Sequence, residues 1–167
     1  MAIQFSTSYL GDSITVLRQY KSMAERAMGQ ASDEQLTQTL DSESNSIALI
    51  VKHLAGNMRS RWTDFLTTDG EKPDRDRDSE FEAPPATRAE LLRLWEDGWR
   101  RVFAALEPLT DADLGRTVTI RGEPHSLMQA INRALAHYAA HIGQIIFIAK
   151  HFQSSRWQTL SIPRRAR

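Results

Sequence analysis

The stretch LAHYAAHIGQI, residues 135–145, sets two histidines four positions apart inside an apolar run. Around it, Leu127, Met128, Ile131, Leu135, Tyr138, Ile142, Ile145, Ile146, Ala149 and Phe152 recur at spacings of three and four, the pattern of one buried helix face. Pro124 suits a first helical position, so a long helix is expected over residues 124–152. A helix turns roughly 100° per residue; with Tyr138 and Ile142 as the core direction, His141 falls roughly 60° from it and His137 roughly 100°. The two lie on one side of the helix, one turn apart, where both imidazoles can reach a single ion. Ala130 and Ala134 leave room beside them.

Working outward, three more helices are expected. Residues 6–28 carry Tyr9, Ile14, Leu17, Tyr20 and Met28 at rough helical spacing, with Gly29 as the stop. Residues 45–66 place Ile47, Ile50, Val51, Leu54, Met58 and Phe65 on one stripe, with Trp62 at its edge. The third long helix opens at a Thr87/Glu90 capping box, buries Leu91, Leu94, Trp95, Val102, Phe103 and Leu106, and ends at Pro108. SDEQL at 32–36 has the capping-box pattern of a short helical turn, and TDADL at 110–114 is a smaller cap and turn. RTVTIRGE at 116–123 alternates β-branched residues before a Gly-containing turn, as in a short strand pair or an extended connector.

These elements predict an all-α fold: a four-helix bundle forming one domain over residues 1–167. A long loop over residues 67–86 separates the second and third helices, and a short extended connector precedes the fourth. The loop holds Gly70 and three prolines among alternating charges, and its composition fits a lid and a plain surface excursion equally.

Composition narrows the function. Lysine and arginine number 21 and so do aspartate and glutamate, giving zero net charge and no basic stripe. No nucleic-acid partner is expected, and the terminal RRAR at 164–167 reads as a frayed tail. With no cysteine, the chain offers no disulfide, thiolate ligand or cysteine nucleophile. No secretory signal and no apolar run of the ~18 residues a membrane span needs are visible, so a cytoplasmic location is expected.

The second helix adds His53, on the shoulder of its stripe beside Ile50 and Asn57. Gathering His53, His137 and His141 around one cation removes the cost of burying three imidazoles without partners. His151 falls on an outer face, and His125 points away from the core at the start of the last helix, so neither is assigned to a metal. The motif is not HExxH, because Tyr138 follows His137, and the glutamates of a di-iron bundle are missing from the core faces.

Taken together, IVKHLAGNMRSRWTDF at 50–65 and AHYAAHIGQI at 136–145 resemble the DinB/YfiT-like superfamily of metal-dependent four-helix-bundle proteins, within a branch of unknown function. The resemblance spans essentially the whole chain. It implies a three-histidine site with one ligand from the second helix and two from the last, at His53, His137 and His141. It implies a divalent ion, nickel or zinc before iron or manganese, with water in open positions. Relatives include transferases that use low-molecular-weight thiols such as bacillithiol, and a mycothiol-dependent isomerase. Several are dimers, so a homodimer acting on a small-molecule substrate is the implied assembly.

Three imidazoles leave such an ion its full charge, able to activate a water or to hold a thiol as thiolate. Because the chain has no cysteine, a thiol would come from outside as a cosubstrate. The leading expectation is a metal-dependent enzyme, a thiol S-transferase or a hydrolase. The alternatives are a non-catalytic metal-binding protein and a helical interaction module with empty histidines. Asn57 reads equally as a group orienting a ligand and as a surface or capping amide. Arg61 is read as a surface ion-pair partner before a carboxylate binder. The carboxylates or carbonyls that should orient the imidazoles are not legible.

Overall fold

A computed structural model describes residues 4–162; the RRAR tail at 164–167 lies outside the described residues. Four long helices dominate: α1 (Tyr9–Met28), α3 (Ile47–Trp62), α4 (Arg88–Leu106) and α5 (Leu127–Gln153), with a short α2 (Asp33–Thr37) after the first. Each long helix starts where a hydroxyl accepts a free backbone N–H: Ser8 from Gly11, Ser46 from Leu49, Thr87 from Glu90 and Ser126 from Gln129. The expected capping box at Ser32 and Gln35 is complete. That at Thr87 is altered, because Glu90 accepts from the Ala86 N–H, one residue earlier than a box requires.

Helix α3 packs most extensively on α4, and α1 on α5; α3 also lies against α5, and α1 against α4. The apolar stripes meet in one core around Trp95, Trp99, Tyr138, Leu17 and Leu54. Gly98 lets α3 and α4 approach closely: a Cβ there would lie 3.0 Å from Met58 Sδ and 3.3 Å from Ala55 Cα. None of the described helices is long and apolar enough to cross a membrane.

Two boundaries differ from the sequence reading. Helix α3 stops at Trp62 instead of continuing to residue 66, because Thr63 is already extended, with ψ of 122°, and Asp64 follows with a left-handed φ of 48°. The connector before α5 is a true hairpin, β1 (Thr117–Ile120) paired antiparallel with β2 (Glu123–Ser126). Its two-residue turn has φ of 57° at Arg121 and 78° at Gly122, the twist that joins adjacent strands directly. Pro124 therefore sits in a strand opposite Thr119, and α5 begins three residues later at Leu127.

The 67–86 loop is pinned at several points. Asp69 accepts the backbone N–H groups of Arg121 and Gly122 at 2.8 and 2.7 Å, tying the loop to the hairpin turn. Ser60 on α3 donates to the Gly70 carbonyl at 3.1 Å and accepts from the Lys72 N–H at 2.9 Å. Further on, Lys52 Nζ donates to the carbonyls of Ser79 and Glu82 at 2.6 and 2.9 Å. Residues 78–81, a 3₁₀ turn, are thereby laid along α3.

Replacing Gly98 by valine forces apolar bulk between α3 and α4. We expect Gly98→Val to lose about 1–3 kcal/mol of stability, the usual cost of overpacking. Urea denaturation measures this, and an unchanged midpoint would show that the crossing is looser than described.

Candidate metal centre

The site follows from the meeting of α3 with α5. His53 is buried, and His137 and His141 are partly buried across from it. His137 Nε2 lies 3.2 Å from His53 Nε2 and 3.1 Å from His141 Nε2. The ligand atoms of the three residues all fall within 4.8 Å of one another. Tetrahedral coordination with ion–nitrogen distances of 2.0–2.1 Å separates neighbouring donors by roughly 3.3 Å. Two of the three donor pairs have about that spacing.

Hydrogen bonding sets how the rings face each other. His53 Nδ1 lies 2.8 Å from Glu80 Oε2, and His141 Nδ1 lies 2.8 Å from Gln144 Oε1. A carboxylate and an amide oxygen can only accept, so both Nδ1 atoms carry the proton. In their neutral forms His53 and His141 therefore offer Nε2 lone pairs, and both face His137 Nε2. A single proton on His137 cannot satisfy both well, whereas a cation satisfies all three donors. Burial, followed by the neighbouring His141 and His53, lowers the His137 pKa to about 3. Burial likewise lowers that of His141, against the opposing hydrogen bond to Gln144. Both shifts favour the neutral imidazole at His137 and His141, the state that ligates metal.

Glu80, the acceptor that sequence reasoning missed, comes from the loop. It is 5% exposed, and Arg75 clasps it from the far side, Nε to Oε1 and Nη2 to Oε2, both at 2.8 Å. Burial pushes the Glu80 carboxyl upward, but the hydrogen bonds from His53 and Arg75 prevail and hold it below its usual range. Phe81 stacks on the His53 ring with centroids 4.6 Å apart. Gly56 makes room for this, since a Cβ there would lie 2.2 Å from Glu80 Oε1. Nothing in the composition of the 67–86 segment distinguishes Glu80 from its other acidic residues. A glycine one turn after His53 was the only local hint of a close approach. The segment packs a carboxylate and an aromatic ring against α3.

The histidines open onto a cavity of about 570 Å³ lined also by Asn57, Tyr138, Ala130, Ala134 and several arginines. Asn57 is half-buried, and its Oδ1 accepts from the Tyr138 hydroxyl at 3.3 Å. That hydroxyl accepts in turn from Trp62 Nε1 at 2.8 Å. Asn57 is therefore part of the cavity wall. Arg61 corrects the sequence reading: among the described residues it makes no surface ion pair and its buried Nη1 has no acceptor, and it lines the cavity. His125 lies on β2 with Nδ1 3.0 Å from the Glu123 carbonyl, and His151 is exposed; neither joins the cluster.

With this geometry in view, comparison with known proteins is informative. The model of a protein family of unknown function, DUF1572, matches residues 4–166. The chain belongs to the DUF1572 family. Among curated proteins, none matches it significantly. Among solved structures it is similar to YfiT from Bacillus subtilis, described as a probable metal-dependent hydrolase with an unusual four-helix bundle topology. That likeness has 22% identity, a TM-score of 0.65 and coverage of 91% of this chain and 92% of the other. A DinB-like protein from Bacillus cereus is similar over 85% of this chain and 91% of its own, with 15% identity and a TM-score of 0.60. The DUF1572 chain thus shares the overall fold of YfiT, a four-helix bundle, and of the DinB-like protein.

Two outcomes follow from the cluster. Gly56→Ala drives a methyl into Glu80 and should detach it from His53, weakening zinc binding by about 10- to 100-fold, as loss of such an orienting partner does. A competition titration with a chromophoric chelator reads this, and unaltered affinity would mean Glu80 does not hold the ring. In metal-free protein, His137 protonates in the unfolded chain near its ordinary pKa of 6.5 but in the folded chain only near 3. Its contribution to stability is full above about pH 6.5 and is lost as the pH falls from there towards 3. His137→Gln should therefore make the fall in urea midpoint between about pH 7 and pH 5 shallower than in the parent. Parallel pH profiles would contradict the neutral buried state.

Proposed function

We propose that this DUF1572 protein is a metal-dependent enzyme in which His53, His137 and His141 hold a divalent ion, zinc or nickel, with open positions facing the cavity. The observation that carries this reading is the convergence of three Nε2 atoms, with the Nδ1 protons of His53 and His141 anchored on Glu80 and Gln144. An ion bound there would supply Lewis acidity, lowering the pKa of a coordinated water or thiol towards neutrality. The residues do the rest. Glu80 and Arg75 fix the orientation of the His53 ring. Phe81 covers one ring face and limits water around it. Asn57, held by Tyr138, sits one turn beyond His53, where it can orient a bound polar group.

Hydrolysis with water as nucleophile is the reaction we put first, supported by the structural likeness to YfiT, a probable metal-dependent hydrolase. Transfer to a low-molecular-weight thiol is the second reading. One observation favours it: with no cysteine in the chain, a sulfur nucleophile must enter as a cosubstrate, and the cavity is large enough for one.

Metal analysis of untagged protein tests the core of this reading. One zinc or nickel ion per chain is expected, falling to background in His53→Ala, His137→Ala and His141→Ala. Unchanged metal content in those variants would sink the assignment. With loaded protein, ester and amide probes should turn over without thiol if hydrolysis is correct, and an electrophilic probe should require an added thiol if transfer is correct.

A further inference from the structure

The substrate class of this same site can be read from the charges on the cavity wall, and that part rests on the function proposed above. Among the described residues, five arginines line the cavity — Arg61, Arg75, Arg77, Arg121 and Arg133 — and no aspartate or glutamate does. Three of them have acidic neighbours. Arg75 is held by Glu80 and Glu71, Arg121 Nε lies 3.1 Å from Glu71, and Arg77 lies 3.9 Å from Asp78. Arg61 and Arg133 have no carboxylate within ion-pair distance among the described residues.

Arg61 is placed by packing, not by an ion pair. A Cβ at Gly70 would lie 2.9 Å from Arg61 Nη1 and 3.1 Å from its Cδ, so the guanidinium rests directly on the glycine backbone. Gly70 is itself fixed, donating to the Thr119 carbonyl at 2.8 Å and accepting from Ser60 Oγ at 3.1 Å. Burial disfavours the charge on Arg61, Tyr138 and Glu71 offset this in part, and Arg133 and Arg75 add like-charge repulsion. Arg61 is thus a part-buried guanidinium that no carboxylate among the described residues pairs with.

The spacing along the helices orders the wall. Arg133 precedes His137 by one turn of α5, about 6 Å along the axis, and Arg61 follows His53 by two turns of α3, about 12 Å. Arg61 lies beside Ala130 of α5, so both cations sit towards the Ala130 end of the cavity. Guanidinium groups bind planar and tetrahedral oxyanions through paired N–H donors. We propose that Arg61 and Arg133 form an anion subsite, and that the substrate is a small molecule carrying a carboxylate or phosphate group one to two helical turns from the part presented to the histidines. The cavity volume suits a compact molecule of this kind.

Calorimetric titration of phenyl phosphate and of phenylacetate, with benzyl alcohol as the uncharged control, tests this on zinc-loaded and on chelator-stripped protein. At least one anion should bind both forms, the preferred one distinguishing phosphate from carboxylate, and benzyl alcohol should bind far more weakly. Arg61→Gln and Arg133→Gln should each weaken anion binding by about tenfold or more, with zinc content unchanged, while Arg61→Lys retains part of it. Gly70→Ala, which displaces Arg61 without removing its charge, should weaken binding as well. Failure of wild-type protein to bind either anion, equal binding of benzyl alcohol, or full anion affinity in the Arg61→Gln/Arg133→Gln double variant would overturn the subsite. If zinc does not bind but the anions still depend on both arginines, the subsite stands and the histidine-centred function falls.

Discussion

A buried carboxylate organises this molecule. Glu80 is almost completely removed from water, and an isolated charge there would cost several kcal/mol. The structure meets that cost with Arg75 on one side and His53 on the other, in the only space a glycine at position 56 leaves beside α3. Each element of the site depends on this. The loop must lie along α3 for Glu80 to reach His53, and the His53 ring must present Nε2 to α5 because its Nδ1 is committed to Glu80. A loop that reads as irregular is thereby as tightly specified as the helices it connects. Its other anchors, at Asp69, Ser60 and Lys52, all act to deliver residues 75–81 to this position.

The helices were legible because burial imposes period on sequence. The stripe predicted for α3 packs, as does that of α5 apart from the exposed Met128, and Ser32 caps α2 as its spacing implied. The misplacements occur where a single backbone torsion overrides the pattern. Phe65 continues the α3 stripe and is buried, yet Thr63 and Asp64 have already turned the chain out of the helix. Pro124 suits a first helical turn in isolation, but the left-handed pair Arg121–Gly122 commits the following residues to a strand first. Local preference was read correctly in both cases, and a longer-range requirement overrode it.

The site divides along the same line. His137 and His141 share a helix, so their relation is fixed by 3.6-residue geometry, and His53 needed only the assumption that two stripes face one core. Glu80 lies 27 positions from His53 in a segment without period, and no local rule selects it from its acidic neighbours. Arg61 was misjudged for a related reason. It stands at the end of an amphipathic helix near Asp64 and Glu71, where a surface ion pair is the ordinary outcome. What removes it from the surface is Gly70, nine positions later, which closes over the guanidinium.

The arginines also show how little a chain's net charge says about its cavities. Equal numbers of acidic and basic residues argue against a polyanion partner, because such a partner responds to the field of a whole surface. A small ligand responds to the few groups lining one concavity, and there the balance is one-sided. The acidic residues that neutralise Arg75 and Arg121 stand behind them, where they fix those side chains in place without facing the cavity themselves. Compensated arginines thus serve as structure, and uncompensated ones remain available for binding. Arg61 and Arg133 belong to the second group because α3 and α5, the helices that carry the histidines, bring no carboxylate to that wall. The same two helices therefore set both the donor cluster and the sign of the molecule that can approach it.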